Sequence, residues 1–514
     1  MAETVNEVEL LEESAKERFD KLDGERDVSL TRARQCSKLT IPSILPDDGH
    51  DENTALETPY QATGSRLVNN LASKLLLSLL PPNTPFFRLL IDDEIREGMK
   101  AEGEEGNKRA DEAEAKLISI EQIILKQIER EALRVPTFTA VKDLIVTGNS
   151  LCIKTEESLK VYKLNNYVVL RDFEGKPLEF VTKETVVYET LPEDIREQLG
   201  DEVTEGSIDI YTRAVLKQDK WYEYQHVNTI PVEGSMATYK DDDKFIYIPL
   251  RWSAINGENY GRGLVEQYLG DFITLEGLSQ MLIEASAVMA RVIFGKRPGA
   301  QLDIDELNSA ENGQFVYGDL EQDISVLRVE KGNDLSLAMS MSETITRRLE
   351  QAFLVASSVA RESERTTATE IRYMASDLER TLGGVYSVLA LEFQKPLANI
   401  LLAEIGTELS DAQIEPVIVT GIEALGRNAE LDKLRQFNGL LKELGAPEQV
   451  LPRMNIGTYI EKMANALELD TVGLIKPDTQ IAQEQAKQQE DELLQQGASG
   501  LVEEGVKAVG QPQQ

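Results

Sequence analysis

Apolar residues recur in steps of three and four from Ile371 through Met374, Leu378, Leu382, Val385, Leu389, Phe393 and Leu397 to Ile400. This predicts one amphipathic helical face held for roughly 35 residues, about 55 Å at 1.5 Å per residue. Thr367 and Glu370 have the spacing of a capping box at its start. Gly383-Gly384 and Pro396 are the places where such a helix could bend. A helix of about three times the average length needs a reason, such as spanning an assembly.

Further helices follow from the same period. Residues 5–35 are charged and helical in pattern, and a Pro-rich irregular stretch, 41–57, comes next. Thr58-Pro59 reads as the N-cap and first residue of a helix with the stripe Leu67, Leu71, Leu75 and Leu79, stopped by Pro81-Pro82. Phe86–Ile91 suits a strand, and Asp92–Glu131 a single long polar helix. From Ser150 to Ile248 the period shifts towards two, with strands at 151–153, 167–170, 185–188, 208–211 and 221–224 and a short helix at 191–196. Helix returns at Gly263, with Leu264, Tyr268, Phe272, Leu275, Leu278, Leu282, Ala285, Met289 and Val292 on one face and a stop at Gly295 and Pro298. Asn312-Gly313 is a turn signal ahead of an expected strand Phe315–Tyr317, and Ile324–Leu327 gives a second. Asp334 is placed to cap a helix carrying Leu335, Ala338, Ile345, Leu349 and Ala352. Shorter helices are expected at 421–427, 429–444 and 455–467, then a Gln-, Ala- and Glu-rich tail. The fold class is therefore α+β, mainly α.

Composition changes this picture in one respect. The 514 residues are 41% hydrophobic and 28% charged, ordinary for a folded chain, yet 90 acidic residues against 54 basic give a formal charge of −36. Tight binding to nucleic acid is not expected, because affinity for a phosphate backbone comes chiefly from lysine and arginine. A polyanion can still surround DNA if its task is to let the duplex slide. Cys36 and Cys152 are too few for a disulfide framework, and the acidic N-terminus lacks the features of a signal peptide. The run Leu67–Leu80 is too short to cross a bilayer, and no membrane span is expected.

Candidate chemistry is sparse. No G-x-x-x-x-G-K-[ST] is present to cradle a nucleotide, and Gly261-Arg262-Gly263 lacks the third glycine of a dinucleotide fingerprint and reads as a turn. His50, in an acidic loop, and His226, in an aromatic strand, are the only histidines for a metal site or a Ser-His triad. Asp241-Asp242-Asp243 and Asp303, Asp305 and Glu306 could hold Mg²⁺, but chance pairs are expected among 90 carboxylates. No catalytic residue, metal or cofactor is expected.

The order of several motifs resembles the portal, or head-to-tail connector, proteins of short-tailed bacteriophages, the Autographiviridae-type podoviruses. They are Thr58–Ala62, Gly64–Lys74, Tyr247–Arg251, Tyr260–Arg262, Glu266–Asp271, Arg365–Tyr373, Leu382–Ser387 and Gly421–Arg427. The likeness runs from about Arg32 to about Lys476, and the two ends resemble nothing clearly.

The resemblance implies a portal fold of wing, stem, clip and crown, assembled as a ring, usually of twelve subunits, around a central channel at one capsid vertex. It places the wing at 1–262, a first stem helix at 263–294, the clip at 295–333 and a second stem helix at 334–356. A channel loop at 357–366, the long helix at 367–406, the crown at 407–477 and a helical or flexible tail at 478–514 complete it. Double-stranded DNA would pass through during packaging and ejection. The implied partners are the terminase large subunit, tail adaptor and tail tube proteins, and scaffolding, major capsid and internal core proteins. The protein would be made in the host cytoplasm and reside at the head–tail junction of the virion. In the channel loop Arg361, Glu362, Glu364 and Arg365 are the candidate DNA-facing residues, with a solvated turn or continuous helix as alternatives. A carboxylate-dependent phage enzyme and a capsid or scaffolding component are the competing classes. Twelve charges of −36 sum to about −430, so an acidic bore would act as a low-friction sleeve.

Overall fold

The computed structural model describes residues 13–50, 53–82, 84–199, 206–239, 245–290, 293–299, 303–317, 319–327, 332–355, 368–382, 384–405 and 416–420. The chain divides into two compact units, Met1–Ala424 and Leu425–Gln514, and all described residues belong to the first.

The first unit is built on a platform helix, Thr63–Leu79, whose stripe Leu67, Leu71, Leu75 and Leu79 is fully buried. Its final carbonyls have no partner within the helix. Tyr386 Oη donates to Ser78 O at 2.9 Å and Gln394 Nε2 to Leu79 O at 2.8 Å, so residues more than 300 positions away cap it. The helix starts at Thr63 and not at Pro59, as the Thr58-Pro59 pattern suggested. Gln61 Oε1 accepts from Gly64 N at 2.8 Å, while Glu276 accepts from Tyr60 N at 2.9 Å and Gln61 N at 3.3 Å. These side chains satisfy the amides that would otherwise begin an earlier turn. Helix Arg134–Thr147 packs beside the platform.

Two antiparallel sheets form the β part. A three-stranded sheet runs in the order Tyr247–Arg251, Asn149–Lys154, Leu159–Tyr162. A six-stranded sheet has the path Tyr167–Arg171, Pro177–Val187, Ser207–Lys217, Lys220–Val227, Ile230–Pro231, with Ala237–Tyr239 also paired to Lys220–Val227. Phe180, Trp221, Phe245 and Tyr247 stack between them, Trp221 and Phe245 at 3.9 Å between centroids and 10° between planes. Helix Ala15–Glu25 lays Ala15, Phe19 and Leu22 on Val168, Val181 and Tyr211. At this seam the buried Glu179 carboxylate is gripped by Arg18 Nε and one terminal nitrogen at 2.9 and 2.7 Å, and by Arg213 Nε at 2.6 Å. Two charge-assisted partners offset the cost of burying that carboxylate.

Several continuous patterns turn out to be interrupted. The expected helix 92–131 is two, Asp93–Ala101 and Glu104–Arg130, joined where Gly103 takes φ +84°. The long helix expected over 367–406 is also in pieces: Ala368–Leu382, Val385–Leu389, a π-helical turn Ala390–Gln394, and Lys395–Ile405. The break is at Gly384, φ +91°, where Glu379 accepts from Ser387 N at 3.1 Å and Oγ at 2.6 Å. Pro396 follows directly on that π-helical turn inside a continuous helical run, Val385 to Ile405, and the wider turn before it accommodates the N–H that proline lacks. Within the π-turn Glu392 reaches Arg251, accepting from its N at 3.1 Å and its guanidinium at 3.0 Å. Strand Pro416–Thr420 then pairs antiparallel with Phe87–Ile91, a long-range pairing that the pattern did not suggest.

Candidate assembly and channel surface

Three glycines join the sheets to the next part of the chain. A Cβ on Gly263 would lie 2.8 Å from Ile145 O and Val146 O, and one on Gly148 would lie 2.4 Å from Gly263 N. One on Gly261 would meet Gly148 O at 2.9 Å. Asn149 fastens the crossing from the side, donating to Gly261 O at 2.9 Å and accepting from Gly261 N at 2.7 Å. The Gly261-Arg262-Gly263 turn is thus a place of close backbone approach.

From this knot two helices project side by side. After a short turn, Leu264–Gln267, the outgoing helix is Leu269–Met289 and the returning helix Gly332–Ala352. They run antiparallel, since Phe272 near the start of the first meets Phe353 after the end of the second, edge to face at 5.9 Å and 84°. Arg348 pairs with Asp271 at 2.9 Å in the same place. Beyond them Ile293–Lys296 and Ile324–Leu327 form an antiparallel two-stranded sheet. The expected strand Phe315–Tyr317 is not one: both aromatic side chains are exposed, and Ile324–Leu327 takes Ile293–Lys296 as its partner. Gly295 lies within that strand and does not end the helix.

The outgoing helix is covered only near its root, and the returning helix on one side. In the outgoing helix just Phe272 and Leu275 are buried, while Ile273, Met281, Ile283, Val288 and Met289 are exposed. On the returning helix Leu337, Met339 and Met341 are exposed, whereas Ala338, Ile345 and Leu349 are buried. The outgoing helix, 21 residues long with an 18-residue stretch of mean hydropathy 1.2, is long and apolar enough to cross a membrane by length and composition. Burying one half-exposed Ile, Leu, Met or Val is worth about 1 kcal/mol. Eight such side chains on two adjacent helices make a surface that favours a protein neighbour.

The other candidate residues are distributed as follows. Arg361, Glu362, Glu364 and Arg365 lie outside the described residues, between Val355 and Ala368, and so do Asp241, Asp242 and Asp243. Asp303 has a structural task, capping the short helix Ile304–Ser309 by accepting from Asp305 N at 2.9 Å. His226 is buried in its strand opposite Tyr211, and burial together with Arg213 lowers its pKa. His50 borders a 540 Å³ depression formed by the 38–60 stretch and Glu276. Among the described residues no group of three or more His, Cys, Asp or Glu is placed to hold a metal ion.

Sequence reasoning missed the charges that hold the pieces together. Lys154, fully buried, reaches Glu131 at 3.1 Å and Glu404 at 3.0 Å, tying helix Lys395–Ile405 to the sheet. Lys74, noticed only as a charge within an apolar run, donates to Leu354 O at 2.5 Å. An isolated lysine among leucines was the one available signal.

A profile described as bacteriophage head to tail connecting protein matches residues 12–474. The chain belongs to that family. Among curated members, the portal protein of Escherichia phage T7 is 38% identical over 511 residues, covering 96% of this chain and 94% of its own. The portal protein of Enterobacteria phage T3 is 39% identical over 486 residues, covering 91% and 89%. A chain from the virion of a native gene transfer agent particle aligns with 82% of this connector-family chain and 90% of its own, with a TM-score of 0.38 and 10% identity.

Proposed function

We propose that this chain is a portal subunit: identical copies close into a ring at one capsid vertex, and viral double-stranded DNA is packaged and ejected through the bore. The observation that carries this reading is the helix pair whose apolar faces are left open beyond Phe272 and Leu275. In a ring each pair packs against its neighbours, which supplies the missing cover. On this reading the outgoing and returning helices are the stem segments of 263–294 and 334–356, and the Ile293–Lys296 and Ile324–Leu327 pair belongs to the clip. The sheets and platform form the wing, 357–366 is the channel loop, and 407–477 is the crown. A dodecamer is the expected ring. The terminase large subunit docks first and the tail adaptor and tail tube later, while scaffolding, major capsid and internal core proteins surround the ring. The chain itself carries no catalysis.

Purified protein, free of DNA, is expected to sediment as a large oligomer and to show rings with a central hole by negative-stain imaging. Monomer alone across a wide concentration range refutes the proposal. For the channel loop, Arg361→Glu together with Arg365→Glu is expected to leave rings intact and to lower DNA packaging or retention, because two cations able to touch phosphate are lost. Packaging and retention equal to the parent's would remove the loop from the DNA path.

A further inference from the structure

The returning helix Gly332–Ala352 ends in a way that its local sequence does not dictate. Val355 N donates to Glu350 O at 2.8 Å and Leu354 N to Gln351 O at 3.2 Å, the paired bonds of a Schellman stop. Such a stop places one residue in the left-handed region, where glycine is favoured because a Cβ crowds the backbone. Here that residue is Leu354, at φ +60°. The following sequence, 355–367, contains neither glycine nor proline to enforce a break.

Tertiary contacts therefore hold the stop. Leu354 is only 5% exposed, and Phe353 is buried against Phe272 and Tyr268. The Leu354 carbonyl accepts from Lys74 Nζ, which reaches it from the platform helix at 2.5 Å. Burial lowers the pKa of this half-buried ammonium, and Asp377, on the helix that follows the channel segment, acts in the opposite direction. Two turns earlier on the platform, Arg66 holds Glu350 at 2.7 Å, the residue whose carbonyl receives Val355 N.

We infer that Lys74 is a positioning residue that fixes where the chain leaves the returning helix and enters 356–367. Its geometry stands independently, but its importance for DNA passage rests on the channel reading above. One ammonium grips a main-chain carbonyl at the entry to the segment, and helix Ala368–Leu382, which follows the segment, packs on the same platform helix, so both ends are referred to one rigid element. Removing it takes away one of the contacts that hold a leucine in a left-handed conformation.

Hydrogen–deuterium exchange on the purified, assembled full-length protein tests this, comparing the parent with Lys74→Met and Lys74→Arg. Methionine keeps the apolar stem and removes the donor, and arginine retains a donor. Peptides spanning 353–368 are expected to exchange about tenfold faster in the Met variant, with the Arg variant closer to the parent. Peptides from strands Pro177–Val187 and Ser207–Lys217 should be unchanged. Equal exchange in Met variant and parent over 353–368, or equal acceleration in the sheet, overturns the inference. DNA retention by virions carrying the same variants separates the two readings: faster exchange with full retention leaves the latch standing and refutes a channel role for the segment.

Discussion

Asp143 lies on helix Arg134–Thr147, is 3% exposed, and among the described residues its Oδ2 accepts no hydrogen bond. Burial pushes the carboxyl up to about 7, against the pull of Lys163 and Lys142, while Cys152 close by is itself pushed up to about 12 by burial and by Asp143. The folded state therefore keeps a proton that the unfolded chain releases near pH 3.8. Below that pH both states are protonated and the group costs nothing by ionising. As pH rises towards 7 the unfolded state gains by ionising and stability falls, at about 1.4 kcal/mol per unit, until the loss levels off above 7. Between pH 5.5 and 7 this amounts to 1.5 units, or about 2 kcal/mol. Asp143→Asn, of nearly the same shape, should be free of it. The assay is the difference in unfolding free energy between variant and parent at pH 5.5 and pH 8, read by amide exchange within Arg134–Thr147 because global unfolding of an assembled chain is not two-state. The variant should gain about 2 kcal/mol on the parent between the two pH values. A difference that is the same at both refutes the buried, proton-holding carboxyl.

Gly263→Ala should destabilise the protein by about 2–4 kcal/mol, since its Cβ meets backbone oxygens at 2.8 Å that no rotamer change can move, whereas Gly98→Ala, with nothing within 4 Å, serves as a tolerated control. Amide exchange within Arg134–Thr147, compared between the two variants and the parent, checks this. Phe353→Ala empties a fully buried site against Phe272 at the root of the helix pair, costing about 3–5 kcal/mol. Limited proteolysis should then cut first within the helix pair and leave the six-stranded sheet protected.

Amphipathic periodicity made much of the fold legible. The stripe Leu67, Leu71, Leu75 and Leu79 is buried as its spacing required, and the two helices bracketing a small β unit were readable from their apolar steps. What the pattern could not show was interruption. Leu378, on one side of Gly384, and Leu389, Phe393 and Leu397, on the other, are all buried in the same unit, so the three-and-four rhythm survives a break that only the backbone angle reveals. Strand partners were equally hidden. Pro416-Val417-Ile418-Val419-Thr420 has the β-branched composition of a strand, but its partner Phe87–Ile91 lies far back in the chain. Phe315–Tyr317 had the better local turn signal and still lost the pairing to Ile293–Lys296. Of the candidate site, the connector-family motifs were readable, whereas Lys74, Lys154 and Glu179 take their roles from contacts that no local window contains.

Those internal contacts also bear on the charge that DNA would meet. The composition counts 54 basic residues against 90 acidic ones, but many of the basic groups are already committed. Arg18 and Arg213 are spent on Glu179, Arg251 on Glu392, Lys154 on Glu131 and Glu404, and Arg262 on Glu258 and Glu266. Arg26 is buried, with its guanidinium on the Leu164 and Tyr167 carbonyls at 2.6 and 2.5 Å. A cation held by a carboxylate or by main-chain oxygens offers a phosphate less, because the existing partner must first be given up. Each such pair takes a carboxylate out of play together with its cation, so the formal −36 stands, and a neighbouring polyanion meets that negative field with these cations already held. In the proposed ring this favours sliding over binding: each phosphate finds few cations to exchange for its counterions, and no deep minimum opposes the next step. On the proposed assignment of 357–366 to the bore, Arg361 and Arg365 gain their weight from that scarcity. Two cations in a neutral channel would be incidental, but in an acidic one they would be among the few places where DNA could be briefly held.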